Sequence, residues 1–192
     1  MNIILFGGAF DPPHLGHQQI AANLLAENLA DEVWFVPVKQ HSFAKQLSLP
    51  IHRLKLLQLQ LLPKTKIELY EQEQVGINYT YNTLDALSAR YSEHKFSWVI
   101  GSDNLAKFYL WGDASGRNYQ ALLKSYPFYV YPRHGFRFEP LHPGMISLPH
   151  FPEIEVSSTQ VRARIAAGQT LTGFVTPAVA DYIRDHQLYQ AN

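Results

Sequence analysis

Hydrophobic positions along this chain switch repeatedly between two spacings. Asn2 to Phe6 is a short apolar run rich in β-branched and aromatic residues, and after a glycine pair the apolar positions recur at helical intervals. The predicted strands are 2–6, 32–36, 66–72, 96–100 and 128–131, and the predicted helices are 20–29, 51–62, 80–91, 105–110 and 118–124. Strands that alternate with helices predict an α/β fold with a mainly parallel sheet and right-handed crossovers.

The last third of the chain has a different pattern. Residues 132–152 hold five of the twelve prolines, so we predict a loop with one short strand there. Ser157 or Ser158 then caps a helix that stops at Gly168. A last helix begins after Thr176, where proline follows at the first helical position. The C-terminal part is therefore expected to be helical.

The composition is that of an ordinary globular protein. The 16 basic and 16 acidic side chains cancel and 46% of residues are hydrophobic, which argues against a disordered chain or a general nucleic-acid binder. No apolar run approaches the roughly 18 residues of a membrane helix, and no leader is visible. The absence of cysteine excludes disulfides and thiol nucleophiles and fits the cytoplasm. We expect one domain, 1–192, with a helical part at about 153–192.

The first candidate site is the turn between the first strand and the first helix. Gly7 and Gly8 let the backbone approach a ligand closely, and free N–H groups at a helix start favour anions such as phosphate. His14 and His17 are three residues apart, so both imidazoles can face that anion and stabilise charge in a transition state. An ordinary turn is the alternative. Zinc is disfavoured because helical ligand pairs are usually four residues apart and no third ligand is near.

A second candidate anion site lies about 140 residues later, at the start of a predicted helix. Ser157, Ser158 and Thr159 offer hydroxyl and backbone donors, and Arg162 offers a planar fork of donors one turn later. A well-capped helix with a solvated arginine is the alternative interpretation.

A third group follows the predicted strand 96–100. Asp103 lies at the carboxyl end of that strand, where open α/β sheets bind ligands, and the indole of Trp111 can stack on a flat ring. A helix N-cap and a core tryptophan are the alternatives.

These motifs together resemble one family. His14 to His17 fits the HxGH signature of the nucleotidyltransferase superfamily, and GGAFDPPHLGH resembles the opening of nicotinate or nicotinamide mononucleotide adenylyltransferases. Val156 to Arg162 resembles that family's ISSTxxR signature, and GSDNLAKFYLW is similar to its GxDxLxxFxxW segment. NYTYNTL is similar to its SYTxxTL segment, and RHG at 133–135 to its RPG turn. The resemblance extends from Ile3 to about Tyr189 and implies a Rossmann-like fold with helices on both faces of the sheet.

The resemblance also implies residue roles. His14 and His17 are the implied catalytic residues. The implied ATP contacts are Gly7, Gly8, Ala9, Phe10, His17, Ser157, Ser158, Thr159 and Arg162. The implied mononucleotide contacts are Lys45, Thr83, Asp103, Trp111 and Arg133, with the indole stacking on the pyridine. Mg²⁺ is expected through ATP oxygens and water rather than through a protein metal site.

The chain departs from the family pattern at two places. Ala9 stands where many members have a hydroxyl residue, so that position offers no side-chain hydrogen bond. The loop 37–45 lacks the common PPHK stretch, and Lys45 is the candidate replacement for its lysine. The remaining histidines are expected to have surface or structural roles: 41, 52, 94, 134, 142, 150 and 186.

The expected activity is transfer of AMP from ATP to nicotinate or nicotinamide mononucleotide, giving the dinucleotide and pyrophosphate. One alternative is nucleotidyl transfer to another phosphorylated acceptor, such as pantetheine phosphate. A second is a non-catalytic nucleotide-binding regulatory module. Neither a nucleic acid nor a membrane is an expected partner. The acid or amide form of the acceptor and the oligomeric state stay open at this stage.

The net charge is zero, but the basic and the acidic residues are concentrated in different segments of the chain. Residues 39–66 hold six basic and no acidic side chains, residues 117–137 hold four basic and none acidic, and residues 1–38 hold four acids and no base. Basic segments beside the ligand edge of the sheet can attract anionic nucleotides. A solvated helix face is the alternative for some of these lysines.

Overall fold

A parallel sheet of six strands organises the part of the chain that the computed structural model describes, which is residues 1–39, 47–76, 78–113 and 115–190. The strands are β1 (Asn2–Gly8), β2 (Glu32–Pro37), β3 (Thr65–Ile67), β4 (Lys95–Gly101), β5 (Phe128–Tyr131) and β6 (Met145–Ser147). Their order across the sheet is β3-β2-β1-β4-β5-β6, and every neighbouring pair is parallel. The predicted Rossmann-like α/β fold is confirmed.

Helices connect these strands and continue after them. They are α1 (Leu15–Ala26), α2 (Pro50–Gln58), α3 (Tyr70–Glu73), α4 (Thr80–Arg90), a 3₁₀ helix (Ser102–Leu110), α5 (Tyr119–Ser125), α6 (Ser158–Ala166) and α7 (Pro177–Asp185). Among the residues with described structure, no helix is long and apolar enough to cross a membrane.

Successive residues of β1 face opposite sides of the sheet, because side chains alternate along a strand. Ile3 and Leu5 pack in a core with α4, the 3₁₀ helix and α5. Ile4 and Phe6 pack in a second core with α1 and α2. Both faces of the strand are covered, so the near-continuous apolar run of β1 is the pattern expected of a central parallel strand.

A third apolar cluster attaches the C-terminal helices to the sheet layers. Leu56 of α2 packs with Val161 of α6 and with Val179 and Ile183 of α7. The caps follow the sequence expectation, since the hydroxyl of Ser157 accepts from the N–H of Gln160 and that of Thr176 from Val179. This cluster places the start of α6 near the carboxyl end of β1.

The strand order reverses between β1 and β4. The chain builds outward from β1 through β2 to β3 on one side, and from β4 through β5 to β6 on the other. Loops on the two sides diverge at such a switch point and leave a crevice at the carboxyl ends of the strands, where ligands bind in open α/β sheets.

Four predicted elements differ from the structure. The helix predicted at 20–29 is α1, Leu15–Ala26, which begins directly after His14. The strand predicted at 66–72 is wrong beyond residue 67, because the Glu68 carboxylate accepts the N–H of Tyr70 (3.1 Å) and the chain turns into α3. The helix predicted at 51–62 ends at Gln58, four residues earlier than predicted. The helix predicted at 105–110 is a 3₁₀ helix that begins at Ser102, directly after β4.

Candidate active site

A cavity of about 560 Å³ opens at the crevice between β1 and β4. Its wall combines the turn after β1, the ends of β4 and β5, the segment before α4, and the start of α6. The sequence-predicted residues in this wall are Gly7, Gly8, Ala9, His14, His17, Asp103, Trp111, Arg133, Ser157 and Ser158. Residues 150 positions apart in the chain therefore meet in one site, since Gly7 and Ser157 both line it.

The two histidines form a stacked pair at the N-terminus of α1. His14 is the N-cap, and its ring lies 3.7 Å from that of His17, with an angle of 29° between the ring planes. The backbone N–H of His14 donates to Nδ1 of His17 (3.1 Å). Because Nδ1 of His17 accepts this bond, the proton of the neutral ring is on Nε2. Phe10 packs edge-on against the same ring at 4.9 Å and helps to fix its orientation.

Both imidazoles are held neutral. Burial lowers the pKa of His17 to about 3, with a further lowering from the charge of Arg133. Burial, His17 and Arg133 also put the pKa of His14 well below its usual value. Two stacked cations at this distance would repel strongly, which agrees with neutral rings. Neutral imidazoles keep one N–H donor each, so they can bind phosphate oxygens without adding a full charge.

Gly16 allows the close approach that brings this pair to the wall. A β-carbon at this position would lie 2.5 Å from Cγ2 of Ile154 and 3.0 Å from the ring of His14. Real β-carbons do not approach this closely, so any side chain would displace either the loop before α6 or the histidine. The glycine between the two histidines is thus required by packing between distant parts of the chain.

Donors from α6 hold the turn after β1. The hydroxyl of Ser158 donates to the carbonyl of Pro12 (2.8 Å), and Arg162 donates to the carbonyl of Asp11 (2.5 Å). Arg162 also donates to the hydroxyl of Thr159 (3.2 Å). The N-terminus of α6 and the turn are consequently fixed against each other. Together with the start of α1 they direct two helix N-termini into the cavity, which favours a polyanion.

Another part of the cavity wall has an aromatic face and an ion pair. The indole of Trp111 stacks on Phe108 with ring centroids 4.8 Å apart, so its position is fixed by the core. Arg133 donates to the carbonyl of Val156 (3.0 Å), and its Nε lies 3.8 Å from the Asp103 carboxylate. Asp103 keeps 38% of its side chain exposed and can accept from a ligand. In this part of the wall, Trp111 can therefore stack on a flat ring, and Asp103 can accept from hydroxyl groups attached to that ring.

Other sequence-predicted residues lie elsewhere. Phe10 is buried behind His17, and Thr159 and Arg162 are on α6 outside the wall of the cavity. Thr83 is fully buried, and its hydroxyl donates to the carboxylate of Glu71 (2.8 Å). Lys45 is outside the residues whose structure is described.

Glu71 is a wall residue that the sequence did not single out. It is 5% exposed, and burial raises the pKa of its carboxyl to about 7, although hydrogen bonds from Thr83 and Asn78 lower it. Sequence reasoning placed it inside a predicted strand, where alternating polar residues are ordinary. No local signal marks it, because its burial depends on the packing of α3 against α4.

The side chains that line the cavity can be tested as ligands for a metal ion. Among the described residues, no group of three or more His, Cys, Asp or Glu side chains is arranged to hold a metal ion. The wall carboxylates Asp103 and Glu71 lie in an ion pair and against Thr83, respectively. These residues fit a magnesium ion that is carried mainly by phosphate oxygens and water, as is common for this ion.

Known proteins resemble this chain over nearly its whole length. A family model described as cytidylyltransferase-like matches residues 5–164. The nicotinate-nucleotide adenylyltransferase of Bacillus subtilis strain 168 is 32% identical over 194 residues, covering 99% of each chain. A protein of Bacillus licheniformis with the name "Probable nicotinate-nucleotide adenylyltransferase" is 33% identical over 193 residues, covering 98% of each chain.

Solved structures share the fold. The nicotinic acid mononucleotide adenylyltransferase of Plasmodium falciparum, complexed with NaAD, superposes with a TM-score of 0.80 at 22% identity. The match covers 98% of this chain and 97% of that chain. With this fold, a family model spanning most of the chain and full-length relatives at about one-third identity, the chain belongs to the cytidylyltransferase-like family and, within it, to the nicotinate-nucleotide adenylyltransferases.

Proposed function

We propose that this protein transfers AMP from ATP to nicotinate mononucleotide, forming the deamido dinucleotide of NAD biosynthesis and pyrophosphate. The observation that carries the proposal is the neutral, stacked pair His14 and His17 at a helix N-terminus, facing the start of α6 across one cavity. The relatives' names supply the acceptor, which the sequence had left open between acid and amide.

The reaction requires positioning rather than an enzyme nucleophile. A phosphate oxygen of the mononucleotide attacks the α-phosphorus of ATP, the bond from that phosphorus to the bridging oxygen breaks, and pyrophosphate leaves with the electron pair. Negative charge spreads over the phosphoryl oxygens as this happens, so fixed donors and nearby cations lower the barrier. The absence of cysteine from the chain is no obstacle to this chemistry.

The described residues divide between the two substrates. We assign His14, His17, the backbone of residues 7–10 and Ser157 to the ATP phosphates, where donors at two helix starts converge. Ser158, Thr159 and Arg162 contact the triphosphate in this proposal. In the structure, Ser158 and Arg162 donate to carbonyls of the turn after β1. These donors can exchange a carbonyl for a phosphate oxygen, which forms the stronger bond.

The mononucleotide is assigned to a second group of residues in the cavity wall. Trp111 stacks on the pyridine, Asp103 accepts from the ribose, and Arg133 faces the phosphate. Thr83 acts through the carboxylate of Glu71, to which it donates. Lys45 stays assigned to the acceptor on the basis of the family resemblance.

Mg²⁺ belongs to the substrate in this proposal. It enters with ATP, bound by phosphate oxygens and water, and it neutralises the charge of the departing pyrophosphate. Residues 1–192 act as one nucleotidyltransferase domain in the cytoplasm, with small molecules as substrates and no nucleic acid or membrane as partner.

An acceptor panel tests the reaction. Purified protein is incubated with ATP, Mg²⁺ and nicotinate mononucleotide, nicotinamide mononucleotide or pantetheine phosphate, and pyrophosphate release is measured. We expect the highest kcat/KM with nicotinate mononucleotide. Tight ATP binding without pyrophosphate release for any acceptor would instead support a regulatory nucleotide-binding module.

The histidine pair has its own test. Replacing His17→Ala removes a donor used most strongly in the transition state, so kcat is expected to fall by about 100-fold or more while the Kd for ATP changes much less. The matched control is His150→Ala, because that ring lies on the surface and pairs with Glu27. Equal kcat values for wild type and His17→Ala would contradict the assignment.

A further inference from the structure

A buried arginine supports the phosphate-binding turn, residues 9–12, from the side away from the cavity. Arg53 of α2 is only 1% exposed. Its guanidinium donates to the carbonyls of Ala9 (2.7 Å), Ser48 (3.1 Å) and Lys39 (3.4 Å). A cation this deeply buried is retained at a free-energy cost unless its donors are satisfied, and here three backbone oxygens satisfy them. One side chain thereby links the turn to segments 30 and more residues away.

A carboxylate and a tyrosine complete this arrangement. Asp11 is 5% exposed and accepts the Tyr189 hydroxyl (2.8 Å) and the N–H of Ser48 (3.1 Å). The charge of Asp11 acts on Arg53 and raises its pKa against the lowering caused by burial. Burial and Asp11 raise the pKa of Tyr189, so the hydroxyl keeps its proton and stays a donor. Tyr189 lies beyond residues 5–164, the part matched by the family model.

The backbone is strained at Tyr189 and at Phe10, the residue before Asp11. Phe10 has φ +47° and Tyr189 has φ +61°, values that bulky residues rarely adopt. Such a conformation is unfavourable for a residue with a side chain and persists only where surrounding contacts hold it. Local backbone preference alone therefore does not keep the turn in this conformation. The hydrogen bonds to Ala9 and Asp11 stabilise it.

We propose that Arg53, Asp11 and Tyr189 form a positioning network that sets the phosphate-binding turn, and through Phe10 the ring of His17, in the geometry needed for adenylyl transfer. The inference rests on the proposed function. None of the three side chains lines the cavity, so they act through the backbone of residues 9–12 rather than by touching substrate. The link to His17 is the edge-on contact with Phe10, the residue next to Asp11.

Tyr189→Phe tests the network with the smallest change. It removes one hydroxyl and keeps the ring, so the fold is retained. We expect kcat to fall about tenfold, since small misplacements in a site that works by positioning cost this much, with KM for ATP within about twofold of wild type. The matched control is Tyr182→Phe on α7, whose hydroxyl bonds Nδ1 of His52 at 3.1 Å and not the turn. The control is expected to keep the wild-type kcat.

A second measurement does not depend on turnover. Backbone amide resonances of Gly8, Ala9 and Phe10 are compared by NMR in wild type and both variants. We expect shifts in Tyr189→Phe and none in Tyr182→Phe. A kcat for Tyr189→Phe within twofold of wild type, or no larger an effect than that of the control, would overturn the network. If wild type releases no pyrophosphate, the proposed reaction fails, and the amide resonances alone then support or overturn the positioning of the turn.

Discussion

At the scale of single residues, the site depends on keeping ionisable groups neutral. His14 is buried and His17 is half-buried beside Arg133, and each has a pKa lowered by that environment. Their folded-state pKa values are below the unfolded value of 6.5, so the unfolded chain binds more protons in acid. For His17, stability is expected to fall as pH drops from 6.5 towards 3, by about 1.4 kcal/mol per pH unit at the steepest, and His14 adds a loss of the same sign. Glu71 shows the opposite dependence.

Glu71→Gln should remove a pH dependence of stability between pH 4.5 and 7. The folded-state pKa of Glu71 is raised from 4.5 to about 7, so its contribution to stability is complete below pH 4.5 and is lost as pH rises through 7. Glutamine keeps an acceptor for Thr83 and has no charge to bury. We expect the free energy of unfolding at pH 8 to increase by on the order of 2 kcal/mol, measured by urea unfolding from pH 5 to 8.

The matched control for this variant is Glu73→Gln. Glu73 belongs to the same helix, but 59% of its side chain is exposed and its partner Arg90 is 3.9 Å away. Exposed pairs of this kind contribute little, so the control should leave the pH profile unchanged. A wild-type pH profile in Glu71→Gln would show that the carboxyl of Glu71 is ionised in the folded protein without cost.

At the scale of elements, the site is assembled from the ends of helices. The start of α1 and the start of α6 meet at the turn after β1, and their caps are His14 and Ser157. Short strand-to-helix connections place these ends at the carboxyl edge of the sheet, where the dipoles of both helices favour anions. The closeness of α1 to the loop before α6 is possible only because Gly16 has no side chain.

Gly16→Ala should therefore lower both stability and activity. The added carbon would overlap Ile154 and press on the ring of His14, so we expect a loss of about 1–3 kcal/mol in unfolding free energy and a reduced kcat. The control Gly168→Ala introduces strain at φ +63° with open space around it, and costs about 1 kcal/mol.

Both glycine variants are compared by thermal unfolding and by kcat at saturating substrates. The control separates lost stability from lost geometry, because Gly168 is at the far end of α6 from the cavity. If Gly16→Ala keeps the kcat of Gly168→Ala, close packing at this position does not position the histidines.

At the scale of the whole molecule, the basic residues of the two basic segments do not all face the cavity, although the sequence suggested that these segments attract anionic nucleotides. Of the basic residues in the segments 39–66 and 117–137, Arg53 is buried under the turn, and Arg117 is paired with Asp85 (2.6 Å) and Asp113. Arg133 lies in the cavity wall and lowers the pKa of both histidines. Attraction of anionic substrates therefore depends on where each cation lies, not on how many the segments contain.

Arg133→Gln should change the pKa values of both histidines as well as removing a contact to substrate. Without the positive charge the folded-state pKa values of His14 and His17 rise towards the unfolded value, so the loss of stability in acid ends at a higher pH and is smaller than in wild type. We expect kcat/KM to fall at least tenfold, since a charged contact to phosphate is lost. NMR titration of the histidine ring protons measures the first effect and steady-state kinetics the second.

Arg137→Gln is the control for charge alone. It removes the same unit of charge from the same segment, at an exposed position outside the cavity wall. Its histidine titration and kcat/KM should match wild type at moderate ionic strength, because screening weakens distant exposed charges. Equal effects of the two variants would mean that the general field of the protein, and not the location of Arg133, governs the site.

The sequence by itself determined the α/β class, most element positions and the three motifs, because hydrophobic spacing, caps and glycine turns are local properties of the chain. The position of Asp103 after a predicted strand placed it at the ligand edge of the sheet, and the family resemblance assigned His14, His17, Ser158 and Trp111 to the substrates of the same reaction. All five line one cavity in the structure.

Some side chains that lie together in the structure have no common pattern in the sequence, and only the tertiary structure shows that they are in contact. The burial of Glu71 against Thr83, the ion pairs that occupy Arg117, and the contact of Tyr189 with Asp11 all join distant segments. The physical reason is that burial and charge pairing depend on what packs against a residue, which spacing along the chain does not record. The sequence motifs determine which functional groups line the cavity, and long-range contacts determine how these groups are arranged.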